Sequence, residues 1–291
     1  MIQIKLFFSR IIRSLGCIIL LLTVISEGWL VYGVRINSDP PVVREYAIGS
    51  DKISSPVTIV MLSDLHGCEH PTLTKQVAEI APDLILLCGD MINHQHKTGE
   101  DILVTAAVVK ELVDIAPVYY SYGNHELERI GLHDRNAVAP ILEAGAILLD
   151  REYEDLVING NRIRLGGIYT PNSAETRKPD ASSCESFFAD LTDTEAFTVL
   201  MEHRPAAVTD TILPSGCEPD LCLSGHLHGG HIILPILGPV YGANSGFFPD
   251  YALGKYEFGK STLIVSAGLS TDRHIIPRVG NPTEITKITL E

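Results

Sequence analysis

Residues 57–63 (VTIVMLS) form a run too short for a core helix and too apolar for a surface strand. The run reads as a buried β-strand, and Asp64-Leu65-His66 closes its C-terminal end. The same grammar recurs along the chain. Residues 84–88 end at Gly89-Asp90, and 118–122 end at Gly123-Asn124-His125-Glu126. Residues 198–202 end at His203, and 221–224 end at Gly225-His226-Leu227-His228-Gly229-Gly230-His231. Helical spacing fills three of the gaps: 71–81 (Leu73, Val77, Ile80), 100–115 (Ile102, Leu103, Ala106, Val109, Leu112, Val113) and 134–144. Strands alternating with helices, with polar residues at strand C-terminal ends, predict an α/β sheet whose site lies at those ends.

The second half changes character. Residues 153–159 and 162–168 alternate around Asn159-Gly160-Asn161, a hairpin signal. Short strands are also expected at 147–149, 262–267 and 284–290. More strands than helices there predicts two packed sheets with helices outside. A chain of 291 residues, 45% hydrophobic and 20% charged, can bury one sizeable core. The compact domain is expected over 56–291, with 35–55 as a linker and first edge strand punctuated by Pro40, Pro41 and Gly49.

The N-terminus is different again. Residues 1–13 carry Lys5, Arg10 and Arg13 and no acid. Residues 14–34 are apolar, with Glu27 as their one charge and Trp29 and Tyr32 near the far end. At 1.5 Å per residue this stretch spans about 30 Å, the thickness of a bilayer's hydrocarbon core. Basic residues before an apolar span keep the N-terminus cytoplasmic. The expectation is a transmembrane signal anchor at 14–34, a short cytoplasmic N-terminus at 1–13, and a single-pass membrane protein with an extracytoplasmic domain. A cleaved signal peptide and a buried core helix are the alternatives; no A-x-A pattern favours cleavage.

A net charge of −14 argues against nucleic-acid binding and against adhesion of the folded domain to anionic lipid. The six cysteines, Cys17, Cys68, Cys88, Cys184, Cys217 and Cys222, contain no C-x-x-C pair. Cys217 and Cys222 could pair in an oxidising compartment, but free buried thiols are preferred.

Five strand ends thus carry metal-type ligands: Asp64 with His66, Asp90, Asn124 with His125, His203, and His226 with His228. Each alone is weak, since Asp-x-His is often a turn and Asn can cap a helix. Chance does not easily place all five at one topological position. In order and type they resemble the blocks of the calcineurin-like metallophosphoesterase superfamily. The N-terminal anchor, His203-Arg204-Pro205, Gly229-Gly230 and Asn281-Pro282-Thr283-Glu284-Ile285 are similar to its small membrane-anchored bacterial branch.

The resemblance implies a four-layer α/β/β/α sandwich and a dinuclear hydrolase of phosphoester bonds. Asp64, His66 and His228 would hold one divalent cation, and Asn124, His203 and His226 the other, with Asp90 bridging. A water between the two ions would lose its proton near neutral pH and attack phosphorus in line. His125 would face the phosphate, stabilising the transition state or protonating the leaving oxygen. Mixed N/O ligation suits Mn, Fe or Zn. A phosphodiesterase or lipid-linked pyrophosphatase is the favoured activity. A phosphomonoesterase or phosphoprotein phosphatase, or a non-catalytic membrane-anchored binding protein, is the alternative.

Some residues depart from the pattern or stay open. His231 stands where the branch usually has Gln, and could support a ligand, touch substrate or lie on the surface. Asn93 stands where Asp is common. His70, His94, His96, His133 and His274 are expected as solvated loop residues. Arg204 could pair with substrate phosphate or position its loop. Residues 234–256, with Phe247, Phe248 and Tyr251, could wall the cleft, lie on a membrane or fold into a self-packed loop.

Overall fold

The computed structural model describes residues 40–93, 95, 98–132, 134–170, 181–242, 245–271 and 277–291, with 20, 23, 24, 27, 28 and 31 of the N-terminal stretch. Those six residues are helical. The rest of the expected anchor lies outside the described residues, as do His94, His96, His133 and His274. Among the described residues no helix is long and apolar enough to cross a membrane.

One six-stranded sheet has the order β1-β15-β2-β3-β4-β5. Its strands are β1 (Val42–Ile48), β2 (Val57–Leu62), β3 (Leu84–Cys88), β4 (Val118–Ser121), β5 (Ile147–Leu148) and β15 (Glu284–Leu290). β2 to β5 run parallel, β15 runs antiparallel to β2, and β1 is parallel to β15. The other six-stranded sheet has the order β13-β14-β9-β8-β7-β6. It holds β6 (Glu152–Ile158), β7 (Asn161–Ile168), β8 (Phe197–Glu202), β9 (Leu221–Ser224), β13 (Gly254–Phe258) and β14 (Ser261–Val265). β7, β8, β9 and β14 are mutually parallel, and the edge strands β6 and β13 are antiparallel to their neighbours.

Alternation decides which face goes where. Ile59, Met61, Leu84 and Leu86 of the first sheet meet Ile163, Leu165, Phe197, Val199 and Leu221 of the second in one buried cluster. The intervening residues point outward: Val60, Leu62, Ile85 and Leu87 pack under α1 (Leu73–Ile80), α2 (Glu100–Leu112) and α4 (Ala139–Glu143). On the far side, Leu200, Cys222 and Val265 pack under α5 (Ala181–Thr192) and the helical segment that begins with α6 (Pro205–Ala207) and runs through Val208–Ile212. The layers are therefore helix, sheet, sheet, helix. Strands buried on both faces read as continuous apolar runs, which is why β2, β3, β8 and β9 were visible in the sequence.

Three elements differ from what the sequence pattern suggests. The helix expected over 134–144 occurs only at Ala139–Glu143, with Pro140 in its first turn. Proline lacks the N–H an earlier start would use. A helix not anticipated, α3 (Asn124–Leu132), begins inside the Gly-Asn-His-Glu motif. Residues 234–256 are not an irregular loop, because β10 (Ile232–Leu234), β11 (Gly238–Gly242) and β12 (Gly246–Phe247) form a small antiparallel sheet. Interspersed Gly and Pro broke the alternation that would have revealed it. Cys217 and Cys222 are both buried as free thiols.

Candidate metal centre

The strands carrying Asp64, Asp90 and Asn124 are parallel neighbours, as are those carrying His203 and His226. Parallel strands put their C-terminal ends on one edge, so each sheet presents its ligands together. The two edges meet. Ligand atoms gather in three groups, each within 4.8 Å: Asp64, His66 and His228; His66, Asp90 and His125; Asp90, His203 and His226.

Asp90 is at the centre. Its Oδ2 lies 3.0 Å from His203 Nε2, 3.9 Å from His125 Nε2 and 4.0 Å from His66 Nε2. Asp64 Oδ1 lies 3.8 Å from both His203 Nε2 and His228 Nε2. The His226 N–H donates to the Asp64 carboxylate at 3.1 Å, which ties the two sheets together through the backbone.

The backbone is strained at these positions. Asp64, His66, Asp90, His226 and His228 all have positive φ, between 49° and 71°. For residues with a Cβ this costs on the order of 1 kcal/mol or more each, and such strain clusters at functional sites. Glycine relieves crowding nearby: a Cβ on Gly123 would collide with the Asp90 carboxylate, and one on Gly225 with that of Asp64.

The electrostatics follow from burial and proximity. Burial pulls the His203 ring down, but Asp90, and Asp64 behind it, raise it to about 10. Burial raises Asp90, yet the rings of His203 and His125 outweigh it and hold the carboxyl well below its ordinary range. Burial lifts Asp64 to about 6. Burial, then His203, pushes His226 down to about 3, and burial with His66 and Arg278 keeps His228 neutral. Neutral imidazoles have lone pairs to give. His203 Nδ1 donates to the Cys88 carbonyl at 2.7 Å, which aims Nε2 at Asp90.

These residues fit a metal. The Asn124 Oδ1 is buried and accepts no hydrogen bond among the described residues. A buried carbonyl oxygen without a donor costs stability unless a cation meets it. Carboxylate, imidazole and amide oxygen are donors suited to divalent ions. His125 is part-exposed, as are Asn124 and His226, with its side chain 17% exposed against 3% for His66 and 0% for His203.

Several supports escaped the sequence reading. The Glu126 carboxylate, fully buried, accepts from the N–H groups of Asp90 (2.9 Å), Met91 (2.7 Å), Ile92 (3.3 Å) and Gly123 (2.8 Å). It therefore joins the ends of β3 and β4. Asn281 Nδ2 donates to the His228 carbonyl at 2.6 Å, and Arg278 Nη2 donates to Ala267 O and lies 3.4 Å from His228 Nδ1. Glu202, also buried, accepts from the N–H groups of Thr170 and Arg204. Glu126 and Asn281 sat within motifs already noted, but nothing in the sequence pointed to Arg278.

Arg204 is buried with its guanidinium 4.7 Å above the Tyr169 ring, close enough to His226 to lower its pKa. His231 is buried, its ring 5.7 Å from that of His228, so it is no surface residue and belongs to none of the three ligand groups. His70 was expected in solvent; instead it is buried, and Nε2 donates to Leu269 O at 2.6 Å.

Comparison with known proteins agrees with this geometry. The calcineurin-like phosphoesterase model matches residues 57–230. The uncharacterized metallophosphoesterase YkuE of Bacillus subtilis is 28% identical over 241 residues, covering 80% of this chain and 78% of that protein. The uncharacterized metallophosphoesterase Cj0846 of Campylobacter jejuni is 26% identical, over 97% of this chain and 70% of its own length. The phosphodiesterase YaeI of Escherichia coli is 25% identical, over 75% of this chain and 77% of its own length. The matched span takes in every strand end that carries a ligand-type residue, and the chain belongs to the calcineurin-like phosphoesterase family, as a hydrolase of phosphoesters.

Proposed function

We propose that the chain is a dinuclear, metal-dependent phosphodiesterase, with a lipid-like phosphodiester or pyrophosphate as substrate. The observation that carries the dinuclear reading is the sharing of Asp90 and His66 between adjacent ligand groups, which suits two ions side by side. Asp64, His66 and His228 would hold one ion, and Asn124, His203 and His226 the other, with Asp90 between them. Mn, Fe or Zn matches this donor set. When bound, such a pair supplies Lewis acidity toward phosphoryl oxygens and lowers the pKa of water.

The chain's own groups do the rest. The His125 N–H donates to Asp90 Oδ1 at 2.8 Å, which fixes where its ring begins. Its ring, part-exposed with Nε2 3.9 Å from Asp90, is the group we assign to give a proton to the departing oxygen. Glu126 keeps the Asp90 turn from relaxing. Arg204, carried beside His226, is the candidate phosphate contact, and His231 a lesser one. The diester preference is supported by the relative named as a phosphodiesterase. The anchor at 14–34 and an extracytoplasmic domain belong to the same reading and are supported by the apolar, basic-flanked sequence.

The test is a comparison of a chromogenic phosphodiester with the matching monoester, using metal-loaded protein and metal analysis. Two equivalents of metal and faster diester hydrolysis are expected. Faster monoester hydrolysis would replace the reading with a phosphomonoesterase, and no metal-dependent turnover would leave a binding protein.

A further inference from the structure

Large apolar side chains are exposed along the β10–β12 sheet. Ile236 is 105% exposed, Leu237 64%, Phe247 78% and Phe248 66%. Ile236 and Leu237 form the β10–β11 turn. Phe247 pairs with Tyr241, their rings 5.2 Å apart, and the Phe248 N–H donates to Val240 O. They flank β11 from end to end: Ile236 and Leu237 at the turn before it, Phe248 beside Val240, and Phe247 level with Tyr241 and Ile232, a line of about 13 Å at strand spacing. A soluble surface seldom gathers such residues without a partner.

Topology places the foot of this sheet beside the point where the chain enters the domain. β15 is antiparallel to β2, so its first residues lie at the edge where β2 delivers Asp64. β1 is parallel to β15, and the Val42 N–H donates to Thr283 O at 2.9 Å. The chain enters at the ligand edge. Four residues earlier in the same segment, Val279 bridges Ile232 at the base of β10, and its N–H donates to His231 O at 2.8 Å. The sheet's foot rests on the metal loop: a Cβ on Gly230 would meet Pro239 at 3.0 Å and Pro249 at 3.2 Å.

The start of β1, the ligand edge and the foot of the β10–β12 sheet thus share one side of the molecule. The residues between an anchor ending at 34 and the start of β1 reach at most about 25 Å when extended. That tether holds the ligand edge against the bilayer. Net charge of −14 disfavours attachment by attraction to anionic lipid.

We propose that the β10–β12 sheet presents a membrane-docking surface: Ile236, Leu237, Phe247 and Phe248 enter the interface of the bilayer that holds residues 14–34, facing the metal centre toward lipid headgroups. Aromatic and branched apolar side chains favour that depth. The proposal builds on the anchor reading, and its test separates the two.

Trp29 is the sole tryptophan of the chain. The full chain is reconstituted into phosphatidylcholine vesicles with and without brominated acyl chains. In the native chain, quenching of Trp29 reports on the anchor alone. In Trp29→Phe with Phe248→Trp, the new indole should lose most of its emission to brominated lipid, shift to the blue and resist iodide. Added phosphatidylglycerol or salt should change this little. Trp29→Phe with Val157→Trp is the control, because Val157 is exposed in the β6–β7 hairpin at the opposite end of the second sheet. It should stay open to iodide and unquenched by lipid. An indole in Phe248→Trp that remains open to iodide overturns the proposal. One shielded from both quenchers overturns it too, since a second copy of the chain would then cover the sheet. Quenching in Phe248→Trp without quenching of Trp29 would keep the docking surface and discard the anchor.

Discussion

The metal centre and the sheet that follows it are contiguous in sequence and opposite in construction. His228 and His231 are buried, while Ile236, a few residues on, is fully exposed. Both regions hold residues at positive φ: Asp64, Asp90 and His228 in one, Ile236 and Phe248 in the other. At the centre the strained residues are gripped. Glu126 holds the Asp90 turn, Asp64 takes the His226 N–H, and Asn281 takes the His228 carbonyl. In the sheet the strained side chains project into open space. A gripped residue cannot change without disturbing its neighbours, whereas an exposed one can. Chemistry should therefore fail when the centre is altered, and only its location should fail when the sheet is altered.

The most damaging change should be Asp90→Asn, which removes the shared charge. Hydrolysis of a chromogenic phosphodiester should fall by about 10³-fold or more, with metal lost on analysis. Retained turnover would sink the assignment of Asp90. Chelation should produce the same loss in the native chain, reversed by adding Mn, Fe or Zn. Next comes His125→Ala. Its kcat should drop by about 10²- to 10⁴-fold with metal content intact. Metal loss instead would make His125 a ligand.

Glu126→Gln tests the grip itself. An amide nitrogen would turn toward a backbone N–H that the carboxylate now satisfies. Metal affinity should weaken by about 10- to 100-fold, with activity recovered at high metal. Unchanged affinity would show that the Asp90 turn holds without it. The mildest variant is Phe247→Ser with Phe248→Ser. Its stability should stay within about 0.5 kcal/mol of the native chain in thermal unfolding. Turnover of the small ester should be unaffected and that of a lipid phosphodiester in vesicles reduced. Equal loss on both substrates would mean that the sheet shapes the chemistry.

What the sequence could show follows the same division. Residues that touch the centre directly are short-range statements: a buried run, then a ligand-type residue. Asp64, Asp90 and His203 were legible because a strand's end is local information. So were the two sheets, since strands buried on both faces spell continuous apolar words. Glu126 was visible but mute, because its role depends on where the end of β3 comes to lie. Arg278 and Asn281 act on His228 from about 50 residues away, and no periodicity encodes that. The β10–β12 sheet hid for another reason. Pro235, Gly238 and Pro239 interrupt its strands, and its exposed apolar residues mimic buried ones to a reader of hydropathy. His70 misled in reverse, since a polar residue between Glu69 and Pro71 reads as solvated.

The pairing of β1 with β15 has a consequence for how the protein is made. Arg44 reaches its partner Glu284 across 240 residues. β15 lies between β1 and β2, so a nascent chain has nothing to set against β1 until almost all of the domain has been synthesised. The same late segment brings Asn281 to the loop of His228. Contacts of such long sequence separation form slowly. A nascent chain still short of residue 281 would carry Asp64, Asp90 and His203 without the brace for their last partner. The brace on the His228 loop is therefore made after every ligand-type residue of the centre, and it comes with the strand that completes the first sheet.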